Sequence, residues 1–252
     1  MSSIPKILKL KDYITLIGTT LGLITLFLAT IGDLAIISIG FFLISFTLGT
    51  DLLDGFIARK TGTINEMGKQ LDSLSDSLTF GIVPAYLTFQ AFRTYNVIDI
   101  FLIIGCIIFA LGAILRLARF NISDQPGYTG VPTPLSGLFL IFYFYANYFF
   151  IQAFQLSTFP PTSTITVCIL MVLFGWFNIT TYIKFGAKDK KLYYFIIAFS
   201  PIFPVIAILG IFGYLIQFYL LSLIISIFFY FLCIVEFIYI TIGFIRSLTK
   251  KV

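Results

Sequence analysis

The feature that most constrains this chain is a series of long apolar stretches. As a helix, each stretch would be about as long as a membrane is thick. Hydrophobic residues make up 59% of its 252 residues and charged residues 11%, against about 25% charged in soluble domains. A hydrocarbon core of about 30 Å requires about 20 apolar residues for each helical crossing. The bilayer core holds no water, so backbone N–H and C=O groups there must form hydrogen bonds within the protein, which favours helices. The sequence therefore predicts an all-α integral membrane protein.

We predict about eight transmembrane helices separated by turn residues and charged loops. The predicted spans cover residues 13–31, 34–58, 68–90, 97–119, 134–155, 163–182, 193–212 and 214–246. Pro84, Pro201 and Pro204 fall inside spans, where proline is expected to kink a helix rather than end it. No soluble domain or internal repeat separates the spans, so residues 1–252 are interpreted as a single membrane domain.

The basic residues indicate the orientation of the chain in the membrane. With an even number of spans, both termini and the loops 59–67, 120–133 and 183–192 share one side. Fifteen of the 16 Lys and Arg residues then lie on that side, and only Arg93 lies on the other. The positive-inside rule therefore predicts a multi-pass cell-membrane protein whose termini face the cytoplasm, together with the segment 51–76. Nothing in this charge pattern predicts nucleic-acid binding.

Among the eleven acidic residues, four aspartates are concentrated between residues 51 and 76. Asp51 and Asp54 share one face of the second span, and Asp72 and Asp76 share one face of the third. Two carboxylates about 4 Å apart repel by roughly 4 kcal/mol at an effective dielectric near 20, so a counter-charge is needed. Hard divalent cations prefer carboxylate oxygens, whereas the chain has no His and only three separated cysteines for zinc or copper. The pattern predicts a pair of hard metals of the kind that clamps both oxygens in phosphoryl transfer.

This run resembles the signature of the CDP-alcohol phosphatidyltransferases, D-x2-D-G-x2-A-R-x8-G-x3-D-x3-D, and matches it at every fixed position. The resemblance implies the fold of that family, with a six-helix core, and a CDP-linked lipid as the donor substrate. It also implies two divalent cations, Mg²⁺ or Mn²⁺ with Ca²⁺ as an alternative, and a homodimer.

The resemblance further implies roles for the matched residues. Asp51, Asp54 and Asp72 would bind the metals, and Asp76 would join the metal site or act as general base. Arg59 would hold a phosphate of the CDP group. Three small residues would let the nucleotide lie against the helix backbone, the alternative being close helix packing; they are Gly55, Ala58 and Gly68.

The family's Pro-Asn-x-x-Thr stretch, which enters the first span, corresponds here to Lys11-Asp12-Tyr13-Ile14-Thr15. Only the threonine of that stretch is kept. The resemblance therefore assigns Thr15 to CDP-lipid binding.

Two later patches resemble elements of the serine-specific members of that family. They read R-L-A-R-F-N over 116–121 and G-V-P-T-P over 130–134. Arg116 and Arg119 share a helix face, and with Lys184 they are predicted to bind an anionic acceptor or the lipid phosphate. The alternative is that these basic residues stabilise the cytoplasmic helix ends and contact lipid headgroups.

The sequence thus predicts an enzyme that transfers the phosphatidyl group of CDP-diacylglycerol, or of an ether-lipid analogue, to L-serine and releases CMP. One alternative keeps the fold but uses glycerol phosphate, inositol phosphate or an amino alcohol as acceptor. Another is a divalent-cation transporter with the aspartates as ion ligands. A transporter should carry polar residues near the midplane of several helices, whereas here they gather beside arginines at one rim.

Overall fold

The structure, a computed structural model, describes residues 7–62, 66–122, 128–185 and 202–249. Within these ranges the chain is helical apart from its connections and one short ladder of two strands. The elements are α1 (Leu10–Ala29), α2 (Leu34–Thr61), α3 (Glu66–Asp76), a π-helical segment (Ser77–Ile82), α4 (Val83–Phe92), α5 (Ile98–Ile122), β1 (Tyr128–Thr129), α6 (Thr133–Ala153), α7 (Pro161–Ile179), β2 (Lys184–Phe185), α8 (Ile202–Leu215) and α9 (Tyr219–Thr249).

Six of the described helices are long and apolar enough to cross a membrane: α1, α2, α5, α6, α7 and α9. The predicted class, an all-α integral membrane protein, is confirmed. The predicted span 68–90 is a continuous helical run formed by α3, the π-helical segment and α4. The predicted span 193–212 begins outside the described residues, and its described part belongs to the 14-residue α8. The number of eight spans therefore stays a prediction.

The distortion expected at Pro84 takes the form of the π-helical segment. Proline has no N–H, so it cannot bond to the carbonyl of Phe80 four residues earlier, and its ring would collide with that carbonyl in an α-helix. The wider π turn relieves this conflict just before Pro84. A Cβ on Gly137 of α6 would lie 3.0 Å from the Phe80 carbonyl oxygen. The glycine therefore lets α6 pack directly against this segment.

Of the two other prolines, Pro204 lies in the described residues, where it is the third residue of α8. A proline near the start of a helix is tolerated because the N–H groups there have no partner within the helix. Pro201 lies outside the described residues.

Helix α6 is the central helix of the bundle. In its apolar span 94% of the residues are buried, against 28% to 44% in the other five. Aromatic rings fill its surroundings; Phe144 stacks on Phe41 of α2 with 4.1 Å between ring centroids, and Tyr145 stacks on Phe229 of α9 at 5.3 Å. Since α6 contacts both α2 and α9, it connects the N-terminal and C-terminal parts of the bundle.

Polar residues of α3 and of the end of α5 meet at one end of the bundle. There the Lys69 ammonium of α3 donates to the Asn121 carbonyl of α5 at 3.1 Å, and β1 pairs antiparallel with β2. Arg93 lies at the opposite end, because a Cβ on Gly32 in the turn between α1 and α2 would lie 2.7 Å from its guanidinium. We call the end that holds Lys69 and Asn121 the site end.

Candidate active site

A small polar pocket lies at the site end between α1, α2 and the run from α3 into the π-helical segment. Its space is roughly 200 Å³ when the open solvent at its mouth is included. A Cβ on Gly18 of α1 would lie 2.5 Å from the Thr50 hydroxyl of α2, so the glycine allows these two walls to approach closely. The lining residues are Thr15, Gly18, Thr47, Thr50, Asp51, Asp54, Asp72, Ser75, Asp76, Thr79 and Phe80.

Three of the four predicted metal ligands come together in this pocket. Asp51 of α2 and Asp72 and Asp76 of α3 each offer a carboxylate oxygen, and these oxygens all lie within 4.8 Å of one another. Carboxylates this close repel strongly away from bulk water, so the group requires a positive partner. A set made of carboxylate oxygens suits hard divalent cations. The residues therefore fit the metals that the sequence predicts.

The fourth aspartate, Asp54, lines the same pocket but is turned toward α1. It is buried, and its Oδ2 accepts a hydrogen bond of 2.5 Å from the Thr15 hydroxyl. This contact gives Thr15 a role that the sequence did not predict, because it fixes the orientation of Asp54. Its predicted contact with the CDP-lipid stays a prediction.

The other residues predicted for CDP-lipid binding lie on the same two helices as the aspartates, and none of the described side chains lines the pocket. Gly55 and Ala58 follow Asp51 on α2 and are half-buried, whereas Gly68 is buried one turn before Asp72 on α3. Arg59 belongs to α2 and Lys184 to β2. The side chains of Arg59 and Lys184 fall outside what the structure describes, so their roles stay predictions.

Arg116 is the buried cation on the α5 side of the carboxylates. It is 6% exposed, it donates to the Thr133 hydroxyl at 3.3 Å, and its guanidinium carbon lies 5.6 Å from the centre of the Phe120 ring. It lies within electrostatic range of Asp51 and Asp76. Its position therefore suits an anionic group bound against the carboxylate pocket.

Arg119 is placed differently, although it is only one turn further along α5. Its guanidinium donates to three backbone carbonyls: Ile179 at 2.6 Å, Thr129 at 2.8 Å and Asn178 at 3.3 Å. Two of these carbonyls belong to the C-terminal end of α7, and the third belongs to β1. The contacts favour the alternative considered for this residue, a structural role at a helix end, over direct binding of the acceptor.

Sequence reasoning missed a buried ion pair next to the pocket. The Lys11 ammonium lies 2.7 Å from Oδ1 of Asp12 at the start of α1. Lys11 is 8% exposed and Asp12 is fully buried. The available signal was their position, because they occupy the places of the Pro-Asn pair in the family's stretch.

Residues 8–187 match the family model described as CDP-alcohol phosphatidyltransferase. The chain therefore belongs to the CDP-alcohol phosphatidyltransferase family, as its motif predicted. This is an integral membrane family of transferases that use divalent metals.

Several curated proteins are similar to this chain, each over a different length. The CDP-diacylglycerol--serine O-phosphatidyltransferase of Methanocaldococcus jannaschii is 34% identical over 209 residues, 82% of this chain and 89% of that protein. The archaetidylserine synthase of Methanothermobacter thermautotrophicus is 33% identical over 150 residues, 58% of this chain and 62% of that protein. A Bacillus subtilis protein with the same name as the first is 36% identical over 94 residues, 36% of this chain and 51% of that protein.

Proposed function

We propose that this protein transfers the phosphatidyl group of CDP-diacylglycerol, or the corresponding group of an ether-lipid analogue, to the hydroxyl of L-serine. The products are the phosphoserine lipid and CMP. The observation that carries this proposal is the meeting of Asp51, Asp72 and Asp76 beside the buried Arg116. The names of the relatives support serine as the acceptor.

Two divalent cations, Mg²⁺ or Mn²⁺ with Ca²⁺ as an alternative, are proposed as cofactors. Asp51, Asp72 and Asp76 would hold them together with Asp54, which Thr15 orients. When bound, such cations supply Lewis-acid stabilisation of the charge on the diphosphate oxygens.

Asp76 is proposed as the general base. It takes the hydroxyl proton while the serine oxygen forms a bond to the lipid-bearing phosphorus. The bond from that phosphorus to the bridging oxygen breaks, and CMP leaves with the bonding electrons. Arg116 faces this side of the pocket, where its positive charge stabilises the negative charge on the transferred phosphate.

The proposed location of the reaction is the cytoplasmic face of the cell membrane. The support is the charge distribution, because the predicted spans put 15 of the 16 basic residues on the side that holds the aspartates. The homodimer implied by the family resemblance is a further prediction, and cross-linking of the protein in membranes tests it.

The acceptor is tested with purified protein, CDP-diacylglycerol and Mn²⁺, with CMP release as the measurement. We expect release with L-serine, and background release with glycerol phosphate, inositol phosphate or ethanolamine. Release with glycerol phosphate but not with serine would reject the serine assignment and keep the family. No release with any acceptor, together with Mn²⁺ uptake into proteoliposomes, would favour the transporter.

The metals are tested by chelation in the same assay. Excess EDTA should abolish CMP release, and Mn²⁺ or Mg²⁺ should restore it, because the ligands are carboxylate oxygens. Zn²⁺ should restore it poorly, since no described nitrogen or sulfur ligand lines the pocket. Full activity after dialysis into EDTA contradicts the proposed cofactors.

A further inference from the structure

The buried Lys11 belongs to α1, whereas the buried Arg116 belongs to α5. Its ammonium has one hydrogen-bond partner among the described residues, the carboxylate of Asp12 at 2.7 Å. It lies within electrostatic range of Asp54 and Asp72, whereas Arg116 lies within range of Asp51 and Asp76. Each of the four aspartates therefore lies within electrostatic range of one of the two buried cations.

Asp12 holds Lys11 in this place. One Asp12 oxygen accepts from the Lys11 ammonium, and the other accepts from the Lys9 backbone N–H at 2.7 Å. The carboxylate is thus anchored to the first turn of α1 and cannot follow the ammonium elsewhere. A lysine ammonium has three N–H donors, so two remain for a ligand beyond this one partner.

Such an ion pair needs a reason, because burying two charges is costly and their attraction often does not repay the cost. The Lys11 backbone also lies next to the site, since its carbonyl oxygen is 3.2 Å from the hydroxyl oxygen of Thr15, whose hydrogen bonds to Asp54. A buried ammonium with donors to spare, next to a pocket built for a diphosphate, suits a phosphate oxygen.

We propose that Lys11 binds the phosphate that leaves with CMP, a role that rests on the proposed function. Asp76 and Arg116 lie on the acceptor side of the pocket, so the transferred phosphate belongs there. The CMP phosphate then lies toward Thr15 and Lys11 on α1. This phosphate gains negative charge as the bond to it breaks, and a fixed ammonium stabilises that charge. Asp12 is the positioning residue that aims the ammonium.

The test compares CMP with cytidine, which lacks the phosphate. Binding of each to the purified protein is measured by calorimetry in the presence of Mn²⁺. Lys11→Met removes the charge and keeps much of the length of the side chain. Lys11→Met combined with Asp12→Asn removes the pair without leaving an uncompensated buried carboxylate, which guards against failure to fold. Lys9→Met is the matched control, since Lys9 is exposed two residues away.

We expect both Lys11 variants to weaken CMP binding roughly 10- to 100-fold, the range for a charge-assisted hydrogen bond, and to leave cytidine binding within about twofold. Lys9→Met should change neither. Unchanged CMP binding, or an equal loss for CMP and cytidine, overturns the proposal.

Neither ligand involves the acceptor, so this result is independent of the serine assay. A wild-type protein that binds CMP but releases none with serine rejects the acceptor assignment and leaves the Lys11 result standing. If the wild-type protein binds no CMP, both the Lys11 proposal and the proposed function are contradicted.

Discussion

Asp76 is the last residue of α3, where its carboxylate meets those of Asp51 and Asp72. If it is the general base, Asp76→Asn should lower kcat by about 10²- to 10⁴-fold, because the amide cannot take the hydroxyl proton. Asp33→Asn is the control, since Asp33 caps the opposite end of α2 and asparagine also caps helices well. Steady-state CMP release measures both variants. A loss of less than tenfold for Asp76→Asn would remove the base assignment.

Arg119 and Arg116 should respond differently to truncation. Arg119→Ala removes a guanidinium that holds the end of α7 and β1, so it should lower the free energy of unfolding by about 1–3 kcal/mol. The KM for serine should stay within about threefold. Arg116→Ala should lower kcat/KM at least tenfold, since it removes the buried cation beside Asp76.

Thermal unfolding and steady-state kinetics, measured on the same preparations, separate these two roles. If Arg119→Ala raises the KM for serine tenfold and leaves the melting temperature unchanged, Arg119 binds the acceptor.

The spacing of residues in the sequence predicts some contacts of the site residues and not others. The spacings of the aspartates predicted two shared helix faces, and the structure brings Asp51, Asp72 and Asp76 together. Spacing could not show that Asp54 turns toward Thr15, because that contact joins residues 39 positions apart. It could not show the partners of Arg119 either, since two of them are backbone carbonyls about 60 positions later.

At the scale of elements, the contact between α5 and α7 depends on two glycines. A Cβ on Gly112 would lie 2.4 Å from the Gly175 carbonyl oxygen, and a Cβ on Gly175 would lie 2.7 Å from the Ile108 carbonyl oxygen. The two backbones therefore touch, as small residues allow in membrane helices. Arg116 and Arg119 follow Gly112 on α5, so this contact also places the basic residues of the site.

Gly112→Val should separate the two helices and lower the melting temperature, with a loss of CMP release in the fraction that still folds. The matched substitution is Gly49→Ala on α2, where an added Cβ meets nothing within 4 Å. It should be neutral or slightly stabilising, because alanine favours a helix by about 1 kcal/mol over glycine. Equal melting temperatures for Gly112→Val and the wild type would contradict the close contact.

Apolar length predicted most of the helices, but it could not rank them by burial. In the apolar span of the central α6, 94% of the residues are buried and the mean hydropathy is 1.4. In that of α5, 28% of the residues are buried and the mean hydropathy is 2.8. The more apolar helix is the one that exposes more surface, because a bilayer solvates its side chains. The π-helical segment was not predicted as such, since Pro84 alone indicates a distortion without its form.

At the scale of the whole molecule, the orientation can be measured with single cysteines. Lys60 is exposed at the site end, and Val97 is 72% exposed in the connection between α4 and α5 at the other end. In a background without Cys106, Cys168 and Cys233, Lys60→Cys should react with an impermeant maleimide only after the membrane is opened. Val97→Cys should react in intact cells. The reverse pattern would place the site outside the cell.

The π-helical segment has a consequence for how this chain can change in length. Each residue in an α-helix corresponds to about 100° of rotation around its axis, and a π turn holds one residue more than an α turn. Deleting one residue from Ser77–Ile82 would let this stretch close into an α-helix, and the Pro84 ring would then collide with the carbonyl four residues before it. The segment thus lets α3, which carries Asp72 and Asp76, continue into α4, which is packed in the core, as one helical run despite the proline.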